Sequence, residues 1–315
     1  MNRTDTNPET LALAGRRIGV FGKGGSGKST AVVLLAKGLR ECGYEVCILD
    51  ADSTNLGLPL VLEIDQPPVP LIEYFGGMVF SGGLVTCPVD DPIRLSGSEI
   101  KLEELPPKYQ RQTPAGITLL VAGKIGDQGP GAGCDGPISK IARDLGVIQR
   151  GEAPVTVVDF KAGFEDTARG VITGLDWAIV IIDPTIAAIE MAANMRNTVD
   201  QIKNGILPAT RHLESQDLVA VANRLFTEAR IKGVFFLLNK IDNAETEIYL
   251  RENLAKKGIE PDAVIYTDPS ISVSWLKGTP LEMRQSHDKI LGFIKELETA
   301  ESLEADQTDL KLIEG

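Results

Sequence analysis

Runs of apolar residues rich in β-branched side chains recur along the chain and predict buried strands. Between several of these runs, apolar residues return every three or four positions, as in residues 138–145 and 186–193. Continuous apolar runs are typical of parallel strands covered on both faces, and the longer spacing is typical of amphipathic helices. The alternation predicts an α/β fold with a doubly wound, mostly parallel sheet flanked by helices. The predicted strands are residues 17–21, 46–49, 117–121, 155–158, 178–182, 234–238 and 263–266.

The same pattern predicts a single domain, with the N-terminal and C-terminal segments of the chain outside it. Strand and helix signals fill residues 15–299, a length that a single large α/β domain can reach. Residues 66–116 interrupt these signals with prolines and glycines, which predicts a long irregular excursion. Residues 1–14 and the acidic residues 300–315 lack a core-forming pattern, so we expect both ends to be flexible.

Charge and composition narrow the class of protein. The chain carries 32 Lys and Arg against 44 Asp and Glu, a formal net charge of −12 that disfavours nucleic acid as a partner. No run approaches the roughly 20 apolar residues needed to cross a bilayer, and residues 1–10 lack a secretory pattern. We therefore expect a cytoplasmic protein with no membrane insertion. The cysteines are too widely spaced to indicate a disulfide framework or a zinc ribbon, and they are Cys42, Cys47, Cys87 and Cys134.

A glycine-rich segment between a predicted strand and a helical run carries the strongest chemical signal. Residues 22–29 read GKGGSGKS, which satisfies the phosphate-loop pattern GxxxxGK[ST]. Glycines allow backbone N–H groups to surround phosphate oxygens, Lys28 can reach the outer phosphates, and the Ser29 hydroxyl can join a Mg²⁺ shell. The residues expected to bind the nucleotide are Gly22, Gly24, Gly25, Ser26, Gly27, Lys28, Ser29 and Thr30.

The segment also matches a dinucleotide fingerprint, GxGxxG, with Asp50 or Asp52 at the distance expected of a ribose-binding acid. A dinucleotide site does not need the Lys28–Ser29 pair, whereas a triphosphate with magnesium needs both. The pair therefore favours the phosphate-loop interpretation.

Lys23 is a second lysine at the start of the loop, and with it residues 22–30 resemble the deviant Walker A loop, KGGxGKS/T. This loop marks a family of P-loop NTPases that includes nitrogenase iron protein, the Min and Par positioning ATPases, the arsenite-pump ATPase and the nickel-insertion accessory ATPase of carbon monoxide dehydrogenase. The resemblance implies an ATPase that encloses ATP and Mg²⁺ in a homodimer, with Lys23 reaching the nucleotide of the partner subunit.

Further matches to this family run to about Leu281. Residues 50–52 are similar to the switch I acid pair, which implies that Asp52 orients or deprotonates the attacking water and that Asp50 supports magnesium. Residues 155–164 are similar to the Walker B and switch II segment, which implies that Asp159 holds Mg²⁺ through water. Carboxylates suit both tasks.

Two later segments resemble the base-binding part of the family. Residues 237–242 read LLNKID, which implies that Asn239 hydrogen-bonds adenine, although the same residues match the guanine-reading pattern NKxD. Residues 267–269 and 278–281 resemble the adenosine-covering segment and closing turn, and they add Asp268 and Pro269 to the expected nucleotide site. On that likeness ATP is favoured over GTP.

Cys134 lies in a segment, residues 131–137, that resembles the glycine-cysteine loop of the iron protein and the nickel ATPase. The likeness implies that two copies of Cys134, with Asp135, could share Ni²⁺ or Zn²⁺ at the dimer interface, while a structural thiol remains an alternative. Residues 160–162 lack the second cluster cysteine of the iron protein, and Gly136 replaces the second cysteine of the nickel ATPase. An iron-protein-like reductase is therefore disfavoured.

Residues 162–170 resemble switch II of the nickel-insertion group most closely. The resulting hypothesis is an ATP-dependent dimeric switch, an accessory ATPase for metallocentre maturation whose client protein is a metalloenzyme. The alternative is a positioning or partition ATPase, or another switch that acts on a protein partner. Residues 303–315 show no basic amphipathic face for lipid, which disfavours the membrane-positioning role.

Overall fold

The central element is a sheet of eight strands, seen in a computed structural model that describes residues 11–124 and 134–314. Its strand order is β10-β9-β8-β1-β7-β2-β5-β4, and all neighbours are parallel except β4, which runs antiparallel to β5 at one edge. The predicted α/β class with a doubly wound, mostly parallel sheet is confirmed.

The strands are β1 (Arg17–Gly22), β2 (Val46–Ala51), β3 (Glu99–Lys101), β4 (Arg111–Gln112), β5 (Thr118–Val121), β6 (Gly146–Ile148), β7 (Val155–Phe160), β8 (Trp177–Ile182), β9 (Gly233–Ile241) and β10 (Ala263–Tyr266). The helices are α1 (Lys28–Glu41), α2 (Leu58–Val61), α3 (Leu71–Tyr74), α4 (Gly136–Asp144), α5 (Glu165–Ala168), α6 (Ile186–Lys203), α7 (Gln216–Thr227), α8 (Ala244–Ala255), α9 (Pro269–Lys277) and α10 (His287–Glu314).

Successive residues of the central strands enter two separate cores, one on each face of the sheet. On β1, Val20 belongs to one core and Phe21 to the other, and Ile48 and Leu49 divide in the same way on β2. Both faces are covered by helices, so both sets of side chains are buried. This arrangement explains why the strands are continuous apolar runs in the sequence.

Both described ends of the chain make contacts with the rest of the fold. Leu13 is fully buried, and its backbone N–H donates to the Tyr44 hydroxyl at 3.3 Å. Residues 300–314 continue helix α10, where Glu301 accepts a hydrogen bond from the Trp177 indole at 2.8 Å and pairs with Arg16 at 2.8 Å. Buried Glu301 therefore holds the start of this stretch to the sheet. Residues 1–10 lie outside the described part of the chain.

The excursion at residues 66–116 is irregular but packed. It holds the short helix α3 and the strands β3 and β4, and β3 pairs in parallel with β6 as a small second sheet. Leu71, Val85 and Leu102 from this segment are buried in the core. The segment also carries Cys87 to the N-terminus of α4. Among the described residues, no helix combines the length and the apolar character needed to span a membrane.

Candidate functional site

The loop between β1 and α1 has the backbone of a phosphate cradle. Gly25 and Gly27 adopt left-handed conformations, with φ of 78° and 96°. A Cβ atom on Gly27 would lie 2.2 Å from Nδ2 of Asn239, so a side chain is excluded there by sterics as well as by conformation. The loop leads directly into the N-terminus of α1, where unpaired backbone N–H groups and the helix dipole favour an anion.

The two lysines of the loop have different surroundings. Lys28 is buried, and its Nζ atom donates to the backbone oxygen of Lys23 at 3.4 Å. Burial lowers the pKa of Lys28, and the nearby Asp159 and Asp52 carboxylates oppose that effect. The Lys23 side chain is 38 % exposed, with Nζ 4.0 Å from the Asp183 carboxylate. Lys28 is thus placed inside the site, and Lys23 at its surface.

Ser29 and Asp159 form the donor set expected of a magnesium site. The Ser29 hydroxyl donates to Oδ2 of Asp159 at 2.6 Å and accepts from Nδ2 of Asn55 at 2.8 Å. Asp159 is fully buried, and its Oδ1 atom has no hydrogen-bond partner within the described chain. Burial raises the pKa of Asp159 to about 6. A buried carboxylate oxygen without a partner, beside a hydroxyl, fits the oxygen ligands that Mg²⁺ prefers.

Asp50, the second predicted magnesium residue, already has a cation as partner. It lies opposite Asp159 in the register of β2 and β7 and is fully buried. Its Oδ2 atom accepts a hydrogen bond of 2.6 Å from Lys124, which also donates to the backbone oxygen of Asp52 at 2.6 Å. Burial raises the pKa of Asp50 to about 7, and Lys124 works against that rise. Sequence reasoning missed Lys124, because a lysine after a strand carries no motif.

Asp52 lies at the rim of a cleft of about 610 Å³ that Lys28 and Ser29 also line. Its Oδ1 atom accepts hydrogen bonds from the backbone N–H of Thr54 at 2.9 Å and from the Thr54 hydroxyl at 2.7 Å. The structure therefore brings the predicted base to the phosphate cleft, in a conformation where a turn holds the carboxylate.

A second cleft of about 410 Å³ adjoins the first, and both are lined by Thr30, Lys240, Ile271 and Ser272. Asn239 and Asp268 line this second cleft, as the sequence predicts for a base site. Asn239 is buried, and its Nδ2 atom donates to the backbone oxygen of Ser26 at 2.8 Å, so the amide also ties β9 to the phosphate loop.

Other residues near the second cleft make hydrogen bonds that fix the backbone around it. Asp268 caps α9 by accepting from the backbone N–H of Ser270 at 2.8 Å, and Pro269 follows as the first helical residue. Pro269 is not among the residues that line either cleft. Asp242, the last residue of the guanine-reading pattern, accepts from the Thr267 hydroxyl at 2.7 Å.

Trp275 is a cleft residue that sequence reasoning missed. It lies on α9, lines the phosphate cleft, and donates from its indole nitrogen to the Thr30 hydroxyl at 2.9 Å. Its sequence signal was weak, since a single tryptophan in a short segment predicts a core position as readily as a site.

Asp135 joins the segments that follow the two predicted switch acids. Its carboxylate accepts from the Ser53 hydroxyl, one residue after Asp52, and from Lys161 at 2.5 Å, two residues after Asp159. We call Ser53, Asp135 and Lys161 the Asp135 hub. Both oxygens of Asp135 are thus engaged, which leaves this carboxylate poorly placed to serve as the metal ligand that the sequence suggested.

Cys134 is exposed beside the hub, and its sulfur accepts from the backbone N–H of Gly136 at 3.3 Å. Residues 131–133 of the predicted glycine-cysteine loop lie outside the described residues. Within residues 11–124 and 134–314, no group of three or more His, Cys, Asp and Glu side chains could hold a metal ion.

Comparisons with known proteins agree with this geometry. An uncharacterised ATP-binding protein of Methanocaldococcus jannaschii is 31 % identical over 275 residues, which cover 87 % of this chain and 96 % of the relative. The carbon monoxide dehydrogenase accessory protein CooC of Rhodospirillum rubrum is 27 % identical over 237 residues, or 72 % of this chain and 80 % of the relative.

A similar fold is found in the septum site-determining protein MinD of Pyrococcus horikoshii, solved with Mg-ADP. The two superpose with a TM-score of 0.54 at 20 % identity, over 90 % of this chain and 95 % of MinD. The model of the CobQ/CobB/MinD/ParA nucleotide-binding domain matches residues 20–308. That match covers both clefts and all of the sheet except the first residues of β1, and the chain therefore belongs to the CobQ/CobB/MinD/ParA nucleotide-binding family.

Proposed function

We propose that this protein is a Mg²⁺-dependent ATPase that acts as a homodimeric switch. The observation that carries the proposal is the hydrogen bond from Ser29, which lines the phosphate cleft with Lys28, to the buried Asp159. The second carboxylate oxygen of Asp159 has no partner among the described residues. That cleft continues into a second one lined by Asn239 and Asp268, which gives room for a nucleoside next to the phosphates.

Five side chains have separate roles in breaking the β–γ phosphoanhydride bond. Lys28 neutralises charge on the outer phosphates, and the loop N–H groups orient them. Ser29 and Asp159 would hold Mg²⁺, and the bound ion would neutralise charge on the outer phosphates. Asp52 orients the attacking water and accepts its proton, which requires its carboxylate to turn from Thr54. Lys23, at the surface of the site, reaches the nucleotide of the partner subunit.

The biological role that we propose is metallocentre maturation. It is supported by the likeness to a carbon monoxide dehydrogenase accessory protein, and by the Asp135 hub. The hub connects the residues after Asp52 and Asp159 to the chain beside Cys134. Opening and closing of the nucleotide site therefore changes the surface around Cys134, where a dimer would present two thiols to Ni²⁺ or Zn²⁺ and to a client protein.

The ATPase test compares wild type with Asp52→Ala, and uses Asp217→Ala on the exposed start of α7 as the matched control. Hydrolysis of ATP with Mg²⁺ should fall at least about 100-fold in Asp52→Ala, because general-base catalysis is lost. ATP binding should persist, and the ATP-bound dimer should accumulate. Unchanged turnover in Asp52→Ala would overturn the role of Asp52.

The maturation role needs a separate measurement, which is anaerobic native mass and metal analysis with ATP, with ADP and without nucleotide. An ATP-dependent dimer that holds about one Ni²⁺ or Zn²⁺ per two chains, and loses it in Cys134→Ser, supports the role. A metal-free ATP dimer would remove the metal role and leave a switch that acts on a protein partner.

A further inference from the structure

A second cysteine lies beside Cys134, although the two are far apart in sequence. A Cβ atom built on Gly136 would lie 2.7 Å from the sulfur of Cys87 and 3.3 Å from the sulfur of Cys134. The two sulfur atoms can be no further apart than the sum of these distances, since both are measured to the same point. Because Gly136 has no side chain, both sulfurs can approach its backbone closely.

The segment that carries Cys87 is fixed to helix α4. Lys140, a buried residue of that helix, donates to the Thr86 hydroxyl at 2.5 Å and to the Asp91 carboxylate at 2.9 Å. Cys87 lies between these two anchors and is partly buried. Its position is therefore set by buried polar contacts on both sides, and Cys134 is held by the first residue of the same helix.

The donor atoms that meet here are two sulfurs. Burial raises the pKa of the Cys87 thiol, and backbone hydrogen bonds from Val89 and Asp90 work against that rise. The N–H of Gly136 donates to the sulfur of Cys134. Thiolates are the ligands that soft metal ions prefer over carboxylate or water. No third His, Cys, Asp or Glu joins the two sulfurs among the residues that the structure describes.

The geometry points to a two-thiolate site, formed by Cys87 and Cys134 of a single chain, that binds a soft metal ion. Two thiolates are enough for Cu⁺, whereas Zn²⁺ normally takes four ligands and would need a second pair. A dimer that brought two such pairs together would offer four thiolates to one ion. The site extends the metal-handling part of the proposed function and rests on that proposal for its biological meaning, but its formation needs no nucleotide.

The test is an anaerobic titration of the reduced full-length chain with Cu⁺ against a chromophoric chelator, without nucleotide. We expect one Cu⁺ per chain in wild type, and loss of that ion in both Cys87→Ser and Cys134→Ser. Cys42→Ser is the matched control, because Cys42 is partly buried like Cys87 but lies at the end of α1. It should keep the ion.

A second variant tests the geometry with both thiols retained. In Gly136→Ala the new methyl group would lie 2.7 Å from one sulfur, closer than real Cβ atoms come, so the sulfurs must move. Cu⁺ affinity should fall by about tenfold or more, as for other changes that misplace metal ligands. Circular dichroism of each variant confirms that the fold persists.

Two results would overturn the site. Full Cu⁺ binding by Cys87→Ser would show that Cys134 acts without it. Binding that appeared only in an ATP-dependent dimer would show that one chain is not sufficient. Because the titration contains no nucleotide, failure of ATP hydrolysis and failure of this site are separate outcomes.

Discussion

The phosphate loop and the Asp135 hub touch the same two strand ends, but they are assembled in opposite ways. The loop is one continuous segment between β1 and α1, and its backbone forms the cradle. The hub joins side chains that are 82 and 26 residues from Asp135 in sequence, and each contact depends on the folded sheet. A local sequence motif therefore defines the phosphate loop, and the tertiary structure defines the Asp135 hub.

The loop and the hub therefore differ in their expected roles: the loop binds the ligand, and the hub links movements of the two segments it joins. The loop offers charge and backbone donors to a ligand. Asp159 on β7 lies against it and is buried without a partner for one oxygen. The hub needs no ligand to complete its hydrogen bonds, because both carboxylate oxygens of Asp135 already accept from Ser53 and Lys161. We infer that the loop gains most from nucleotide and magnesium, and that the hub responds to movement of the segments it joins.

The largest expected effect concerns the carboxyl group of Asp159. Its pKa is raised by burial to about 6, so the folded chain holds a proton that the unfolded chain has released. The nucleotide-free chain should therefore lose up to about 3 kcal/mol of stability from this group as pH rises from about 4 to about 6. Asp159→Asn should remove that loss. Urea unfolding of both proteins across this pH range measures the difference.

Asp217→Asn, an exposed acid on α7, is the control for that series and should behave as wild type. Mg²⁺ should reverse the effect in wild type only, because the metal binds the ionised carboxylate. If wild type and Asp159→Asn showed the same pH dependence, Asp159 would not be a strained acid, and the contrast between loop and hub would fail.

Lys28 should give the next largest effect. Replacing it with Ala removes the buried cation of the phosphate cleft, and charge-assisted hydrogen bonds of this kind contribute about 1.5–3 kcal/mol. ATP affinity, measured by calorimetry, should fall by about 10- to 100-fold. Lys37→Ala, on the same helix and partly buried, should leave affinity unchanged. Equal losses in both variants would mean that general charge, and not the loop, binds the phosphates.

The two regions also show how far the sequence could predict this protein. The central strands, the phosphate loop and the positions of Asp50 and Asp159 follow from contiguous patterns. The structure places the two acids opposite each other on β2 and β7. A continuous apolar run predicts a strand that is buried on both faces, and the positions of glycines predict where the backbone turns. These features depend on near neighbours in the chain.

Other features depend on contacts that no local pattern encodes. Lys124 reaches Asp50 from 74 residues away, and Trp275 reaches Thr30 from 245 residues away. Glu301 looks like part of an acidic tail in the sequence, yet it is buried against Trp177 and Arg16. Cys87 lay in the irregular excursion, so its approach to Cys134 could not be foreseen from spacing alone.

Loss of the Asp135 hub should affect the stability of the fold less than it affects the response of Cys134 to nucleotide. Hydrogen bonds from Lys161 and Ser53 outweigh burial and lower the pKa of Asp135, so its contribution to stability is present above the unfolded pKa and lost as pH falls. Asp135→Asn should cost about 1–2 kcal/mol at neutral pH, after allowance for the partly exposed Lys161. Thermal unfolding measures this loss.

A double-mutant cycle with Lys161→Met separates the pair from its surroundings. If the hub is a real connection, the two losses should be less than additive, and nucleotide should no longer alter the reactivity of the Cys134 thiol in either variant. Additive losses with unchanged thiol reactivity would reduce the hub to an ordinary surface ion pair.

Trp275 should give the smallest effect, since it touches the phosphate cleft from outside the loop. Trp275→Phe keeps the ring but removes the hydrogen bond to Thr30, a loss of about 0.5–1.5 kcal/mol at most, so ATP affinity should change by only a few-fold. The residue also provides a readout, because the chain has two tryptophans and the other, Trp177, is buried against α10. Nucleotide should change the fluorescence of wild type and of Trp177→Phe, but not of Trp275→Phe. A signal that survived in Trp275→Phe would mean that nucleotide changes the surroundings of Trp177. The effect of nucleotide would then extend beyond the phosphate cleft.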